Sequence, residues 1–403
     1  MTISIIVDTV LTETPMAGYP FRVLELVRGY SRKGVNVQLI LCNRNFTSIK
    51  DLSWLGRLGH NVKTLLINPY YFYKKAFLNK LLSIYGADVI QFENPEFVLN
   101  SDRFIIENFD KTIFVLELHD LYYKLTDKNR MYNLFDKALR LVDYVVCFTK
   151  KDARILNKDF RKIKCKIFYS PIFIDYNNYP FYGPNLKGNN ILFMGNLYHG
   201  PNMKTARFLK EKVCPFVGAK IRDFHIHFIG MCPKKFLREK SSSCTFYGFV
   251  KKRSQILRKI KLCVAPVFEG YGTRVKILEY ASFGFPVLTT KKGVSGLEKL
   301  KGLFIADIAR FTDKLVEILS QERLLLRAGL ANRLSVRQNY DEFKIVSLLL
   351  SKITKKRKHK TQLQIRLSKR VYFPFWLKEG RCKKGILKGN YFINKNEIKK
   401  LKI

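Results

Sequence analysis

Residues 263–288 constrain this chain more than any other stretch: Cys-Val-Ala-Pro-Val-Phe-Glu-Gly-Tyr-Gly-Thr-Arg-Val-Lys-Ile-Leu-Glu-Tyr-Ala-Ser-Phe-Gly-Phe-Pro-Val-Leu. They read as strand, glycine loop, helix, strand. The apolar run 263–267 suits a buried parallel strand. Gly270 and Gly272 flank Tyr271, which permits a tight turn and a close approach of the backbone to a ligand. A helix is predicted over about 273–282, ended by Gly284 and Pro286. The next strand starts at Pro286.

Charge placement in this stretch is unusual. Arg274 and Lys276 fall in the predicted first turn of the helix, where the helix dipole is already positive. Two cations there are unfavourable by roughly 0.3–1 kcal/mol each unless an anion sits on them. Free amides, a glycine loop and two cations together describe a phosphate or diphosphate site. Glu279, one turn on, is placed to accept hydrogen bonds from hydroxyls. The plainer alternative is that Lys276 and Glu279 form an i,i+3 surface pair.

Gly-x-Gly-x-Arg-x-Lys-x-x-Glu, followed by Ala281, Gly284, Pro286 and Val287, resembles the donor-site signature of the family 4 (group 1) glycosyltransferases, which have the two-domain GT-B fold. The likeness combines nine positions with the strand–helix–strand context. It departs at one point. Many members carry two glutamates with seven residues between them, and counting back from Glu279 lands on Tyr271. Glu269 is the nearest candidate, two residues early. Either the loop is longer here or the role of the first glutamate is lost.

The rest of the chain fits two α/β domains. At 403 residues two domains are the default, each able to bury a core. No apolar run approaches the ~18 residues of a membrane-spanning helix, and the N-terminus reads as a first strand rather than a signal peptide. Eight cysteines without a Cys-x-x-Cys point to reduced, buried thiols in a cytosolic protein.

A strand at 3–7, a loop through Pro20 and a helix at about 21–33 open the chain. Gly18 and Arg22 match the glycine loop of the family's N-terminal domain. Strands follow at 35–42, 62–67, 88–92 and 112–117, with an aromatic, lysine-bearing helix at 70–85. The strand at 112–117 leads into His119-Asp120, at the carboxyl end where ligands collect in parallel sheets. In the family a histidine here reaches toward the donor sugar. A strand at 143–148, a helix at 149–157 and a strand at 166–169 close the domain. The predicted division is 1–172 as an N-terminal Rossmann-like acceptor domain and 173–189 as linker. A C-terminal Rossmann-like donor domain follows at 190–338, then a helix crossing back at 339–353 and a basic aromatic tail at 354–403.

In the second domain, a strand at 190–195 ends in Gly195-Asn196, and a helix runs from Pro201 to about residue 213. This resembles the family's first donor-facing loop. Asn196 takes the place where many relatives have a basic residue, and Lys204 is a later stand-in. Gly248, Phe249 and Val250 occupy the segment whose backbone holds the nucleobase in the family. His225 and His227 alternate on one strand, and packing is favoured over metal ligation because no third ligand is evident.

The net charge of +42, from 74 basic and 32 acidic residues, exceeds what one diphosphate requires and calls for a polyanionic partner or a solvated basic face. Residues 351–403 hold 18 Lys or Arg against two Glu, around Tyr-Phe-Pro-Phe-Trp at 372–376. An anionic membrane surface is favoured over nucleic acid for 354–403, because lipid-linked acceptors supply a reason to be there.

The resemblance covers about residues 1–350. It implies two Rossmann-like domains facing across a cleft, a nucleotide-diphosphate sugar as donor rather than a cofactor, a glycan or lipid-linked acceptor, and retention of anomeric configuration. Arg274 and Lys276 would stabilise the leaving diphosphate, which can replace a metal, and the sequence has no Asp-x-Asp motif. Glu279, Glu269 and His119 would hold sugar or ribose hydroxyls. The implied enzyme is a metal-independent hexosyltransferase in the cytoplasm, peripheral on the inner face of a membrane. Two alternatives stand: a nucleotide-sugar epimerase on the same fold, and a non-enzymatic basic nucleic-acid-binding or scaffold protein.

Overall fold

The structure is a computed structural model and describes residues 1–9, 11–13, 18–42, 50–67, 69–124, 128–239, 241–269 and 273–355. Thirteen strands among these residues form two parallel sheets. The first contains β1 (Thr2–Asp8), β2 (Asn36–Cys42), β3 (Val62–Ile67), β4 (Val89–Phe92), β5 (Ile113–Leu118), β6 (Tyr144–Cys147) and β7 (Lys166–Tyr169). Their order is β3-β2-β1-β4-β5-β6-β7. The second contains β8 (Asn189–Met194), β9 (Phe224–Ile229), β10 (Cys244–Phe246), β11 (Leu262–Ala265), β12 (Val287–Thr289) and β13 (Leu303–Ile305), in the order β10-β9-β8-β11-β12-β13.

Near-continuous apolar strands such as Ile113–Leu118, buried at every position, are what a sheet covered by helices on both faces requires. Each sheet reverses its strand order once, between β1 and β4 and between β8 and β11. A doubly wound sheet opens a crevice at such a point, outside the carboxyl ends of the strands.

The chain divides into two compact units, one built on Tyr19–Ser170 with β1 and residues 346–355, the other on Pro171–Ile345. The last described helix, Glu342–Ile353, begins in the second unit and ends in the first. Within the first unit the Lys352 ammonium lies 4.8 Å from the Phe168 ring centroid, and the Tyr144 hydroxyl donates to the Lys355 carbonyl. In the second unit the Ile174 amide donates to the Tyr340 carbonyl at 3.1 Å, and the Ile174 carbonyl accepts from the Glu342 amide at 2.9 Å. Among the described residues no helix is long and apolar enough to cross a membrane.

Several local expectations change. The helix expected over 70–85 is two helices, Pro69–Phe72 and Lys75–Ile84, separated at Lys74, which is extended (φ −78°, ψ 116°). The break lets Phe72 and Tyr73 both enter the core and pack on Phe97, at 5.1 and 6.2 Å between centroids. The helix after β8 runs Gly200–Phe208, passes through a π-helical turn at Leu209–Val213 and continues as Cys214–Gly218. Pro215, which has no amide hydrogen, lies just past that turn. The short helices Pro95–Asn100 and Asp102–Glu107 and the helix Lys128–Leu141 were not expected from the sequence. The seven cysteines among the described residues are free, six of them buried. The tail from residue 356, with its aromatic run, lies outside the described residues.

Candidate functional site

The second unit gathers its cations at its reversal point. The helix after β11 is Val275–Ser282, two residues shorter than expected, so Arg274 is its N-cap residue and Lys276 alone of the two lies in the first turn. Arg274 is not helical (φ −87°, ψ 87°), and its Nη2 donates to the Glu269 carbonyl at 3.3 Å. The helix is seated by Tyr280, whose buried hydroxyl accepts from the Met194 amide at 2.6 Å. That contact ties the helix to the end of β8 and brings Lys276 to the Gly195 loop.

Lys276 Nζ donates to Asn202 Oδ1 at 2.7 Å and lies 4.3 Å from the Phe193 ring centroid. Gly195 leaves room for this. A Cβ there would sit 2.9 Å from Lys276 Nζ and 3.1 Å from the Asn202 amide group. Gly230, at the end of β9, is needed behind it: φ is +135°, and a Cβ would lie 2.1 Å from the Gly195 carbonyl oxygen. Asn196 holds its own loop, its Oδ1 accepting from the Tyr198 amide at 3.0 Å and its carbonyl from Asn202 Nδ2 at 3.0 Å.

The cations press on one another. Lys276 is pushed down to about 7, by burial first and then by Arg274, with Glu279 opposing. His199 is lowered as well, by burial and by the charges of Lys276 and Arg274. Like charges held together at a helix start, with no carboxylate hydrogen-bonded to Lys276 among the described residues, are suited to an anion.

The carboxylates sit beside this cluster. Glu279 faces Arg253 at 3.7 Å and Glu269 faces Lys204 at 3.6 Å. The surface pair considered for Lys276 and Glu279 does not form among the described contacts, because Lys276 turns to Asn202. Residues 266–269 are held from outside: Thr205 Oγ1 donates to the Pro266 carbonyl (2.9 Å), Thr290 Oγ1 to the Val267 carbonyl (2.9 Å) and Lys292 Nζ to the Phe268 carbonyl (2.8 Å). Gly270 and Gly272 lie outside the described residues. Gly248 adopts φ +69° and its carbonyl accepts from the Gly230 amide at 2.8 Å, while Phe249 beside it is exposed. Val250 is half-buried.

His225 and His227 are engaged on β9, between β10 and β8. His225 bonds Thr245 Oγ1 and the Ser242 carbonyl, and His227 bonds Tyr247 and Asn190, at 2.8–3.0 Å.

In the first unit His119 follows β5 directly, and Glu93 follows β4 directly. His119 Nε2 lies 2.7 Å from Glu93 Oε2. Arg22, expected near a ligand loop, is instead fully buried in an ion pair with Glu117 at 2.6 Å. The reason is its register on the first helix, Gly18–Arg32, which turns that position into the core. Gly18 is the first residue of this helix rather than part of a loop running to Pro20.

Reading the sequence missed Asn202 as the partner of Lys276, His199 as a member of the cation cluster, and Glu93 as the partner of His119. A usable signal existed for Glu93: a carboxylate directly after an apolar strand-like run, the same position as His119.

Residues 188–321 match the family model of group 1 glycosyl transferases. Known structures with the same fold include Anabaena HepE in complex with UDP-glucose, 12% identical, TM-score 0.63, covering 87% of this chain and 100% of that one. A glycosyltransferase from Rickettsia africae is 13% identical, with TM-score 0.64 and coverage of 87% and 97%. A variant of S. aureus TarM in complex with fondaparinux, α-GlcNAc-glycerol and UDP is 9% identical, with TM-score 0.67 and coverage of 88% and 100%. No curated protein matches the chain. The two Rossmann-like parallel-sheet units are those of the GT-B fold.

Proposed function

We propose that this chain is a retaining, metal-independent glycosyltransferase that moves a hexose from a nucleotide-diphosphate sugar to a glycan or lipid-linked acceptor. The observation that carries this reading is the repulsion between Arg274 and Lys276 at the start of the helix Val275–Ser282, felt also by His199 at the N-cap of the helix Gly200–Phe208. A bound diphosphate relieves that repulsion, and the relief grows as negative charge develops on the departing phosphate. The match of residues 188–321 to group 1 glycosyl transferases supports it independently. HepE binds UDP-glucose and TarM binds UDP and glycan ligands, which is the same class of donor and acceptor.

In this reading Arg274, Lys276 and the helix amides stabilise the leaving group electrostatically. Glu279 and Glu269 accept hydrogen bonds from ribose or sugar hydroxyls, and His119 meets the sugar. The Gly248–Val250 backbone takes the nucleobase. The leaving phosphate itself can take the acceptor proton, so no side-chain nucleophile is needed. Residues 354–403 would hold the enzyme on the inner face of an anionic membrane, next to lipid-linked acceptors.

The test is thermal stabilisation by UDP, GDP, ADP, CDP and TDP at moderate salt. A ligand at about 100 times its Kd adds roughly 2.7 kcal/mol, a clear rise in Tm. One diphosphate is expected to stabilise the wild type and not Arg274→Ala. No shift with any of them, alongside a salt-sensitive shift with nucleic acid, would replace this reading with the nucleic-acid one. Release of free nucleotide without any acceptor would favour the epimerase.

A further inference from the structure

Glu93 is fully buried, at the carboxyl end of β4, where the first sheet reverses its strand order. Its two carboxyl oxygens are used differently. Oε1 accepts from Gln91 Nε2 at 2.7 Å, and Oε2 faces His119 Nε2 at 2.7 Å. Gln91 is itself committed. Its amide nitrogen also donates to Glu117 Oε2 at 2.9 Å, and its Oε1 accepts from the Tyr30 hydroxyl at 2.9 Å. Glu117 is held in turn by Arg22, which also reaches Ser170 Oγ at 3.5 Å. A chain of buried hydrogen bonds therefore fixes which way Glu93 points.

His119 is boxed in by rings, with Tyr19 at 4.1 Å and Phe148 at 4.8 Å between centroids. Its Nδ1 is buried and has no hydrogen-bond partner among the described residues. A half-buried imidazole with one nitrogen on a carboxylate and the other unmatched has one nitrogen left for a ligand.

We propose that Glu93 is a positioning residue that sets the tautomer of His119, and with it whether Nδ1 offers a lone pair or a proton to a hydroxyl of the donor sugar. The proposal rests on the glycosyltransferase reading for the identity of that sugar. With Glu93 as carboxylate, Nε2–H donates to it and Nδ1 accepts. When the pair takes up one proton, the Nε2 proton moves to the Glu93 carboxyl, which donates it back to the Nε2 lone pair, and the added proton sits on Nδ1. The imidazole stays neutral in both forms. Burial pushes Glu93 up to about 7, with Gln91 and Arg22 opposing. Burial pushes His119 down to about 4, with Glu117 and Asp120 raising it and Arg22 lowering it. Tyr19 and Tyr30, the remaining titratable neighbours, stay protonated: burial, Glu93 and Asp8 raise Tyr19, and burial, Glu117 and Glu93 raise Tyr30 against Arg22. The exchange therefore falls near neutral pH.

The test is a nitrogen NMR titration of the full chain labelled at its six histidines, with the His119 signals assigned by loss in His119→Asn. The wild type is expected to change from the Nδ1–H to the Nε2–H tautomer as pH rises through about 7. In Glu93→Gln the new amide oxygen stays on the Gln91 amide, so its nitrogen donates to His119 Nε2. That variant should hold the Nδ1–H tautomer at all pH values. A wild-type His119 that keeps one tautomer from pH 5.5 to 9, or becomes a cation there, overturns the proposal without any variant needing to fold. With UDP-glucose and UDP as probes at pH 8.5, Glu93→Gln should lose about tenfold in affinity for UDP-glucose and nothing for UDP. Equal loss for both would reduce Glu93 to a structural residue. Failure of the wild type to bind any of the five nucleoside diphosphates or their glucose conjugates would refute the sugar half of the proposal, while the titration still decides whether Glu93 sets the tautomer.

Discussion

The two reversal points have the same topology and opposite chemistry. In the first unit the strand ends carry Asp8, Glu93 and, one strand over, His119, with Glu117 and Arg22 buried beneath them. The groups are matched to one another, and burial raises the carboxyls Glu93 and Glu117. In the second unit the equivalent place carries Lys276, Arg274, His199 and Lys204, and burial lowers Lys276. Desolvation drives both shifts, because it penalises whichever form is charged. A parallel sheet thus supplies a place for a ligand but not its charge. That is decided by which residue types follow the strands.

Removing a partner should cost most in the first unit. Arg22→Met leaves Glu117 buried without its guanidinium, and a broken buried pair typically costs about 3–5 kcal/mol. Urea unfolding should show that loss. A change below about 1 kcal/mol would mean that water reaches Glu117 and that this region is not the dry network described.

The second unit should respond in function instead. Lys276→Met removes a charge that burial already opposes, so the fold should tolerate it, while kcat/KM for sugar transfer drops by about 100-fold or more. Glu279→Ala is expected to lose about as much if its hydroxyl contacts tighten in the transition state. Steady-state kinetics with the nucleotide sugar identified by thermal shift would show both, and wild-type turnover by either variant would remove that residue from the site.

Acid and alkali should pull the two units in opposite directions. The folded state holds the Glu93 proton up to about 7, above an ordinary carboxyl. Its contribution to stability is therefore present at low pH and is lost as pH rises through 7. Lys276 gives up its proton at about 7, far below an ordinary lysine. Its contribution therefore grows as pH rises above 7 toward the ordinary lysine range. Melting curves from pH 7.5 to 9.5 should rise less steeply in Lys276→Met than in the wild type. Over the same range, where the diphosphate is fully ionised, its affinity should fall as Lys276 loses its proton. Calorimetry in buffers of different ionisation enthalpy should show proton uptake on binding, and none in Lys276→Met.

The smallest effect belongs to Gly195→Ala. The added methyl meets the mobile end of Lys276 and the Asn202 amide, which can give way. Diphosphate affinity should fall about tenfold with little change in Tm.

Much of the fold was legible in local pattern. Apolar runs marked most of the strands within one or two residues, including β1, β3 and β8, because a strand buried on both faces must be apolar throughout. The helix at 275–282 was legible too, although its start was read early. Arg274 and Lys276 differ by two positions, and only the backbone shows that the first caps the helix and the second enters it. The break at Lys74 and the π-helical turn at Leu209–Val213 were not legible, because both serve packing partners far along the chain.

The sequence by itself determined the alternation of strand and helix, the glycine-flanked strand ends and the cations at the helix start, since each depends on residues within about one turn of one another. Tertiary structure alone decided the partners. Lys276 meets Asn202 across 74 positions, Arg22 meets Glu117 across 95, and His119 meets Glu93 across 26. These contacts depend on which strands lie side by side in the sheet. The shifts in charge follow from them, because burial and neighbours act through distance in space rather than along the chain.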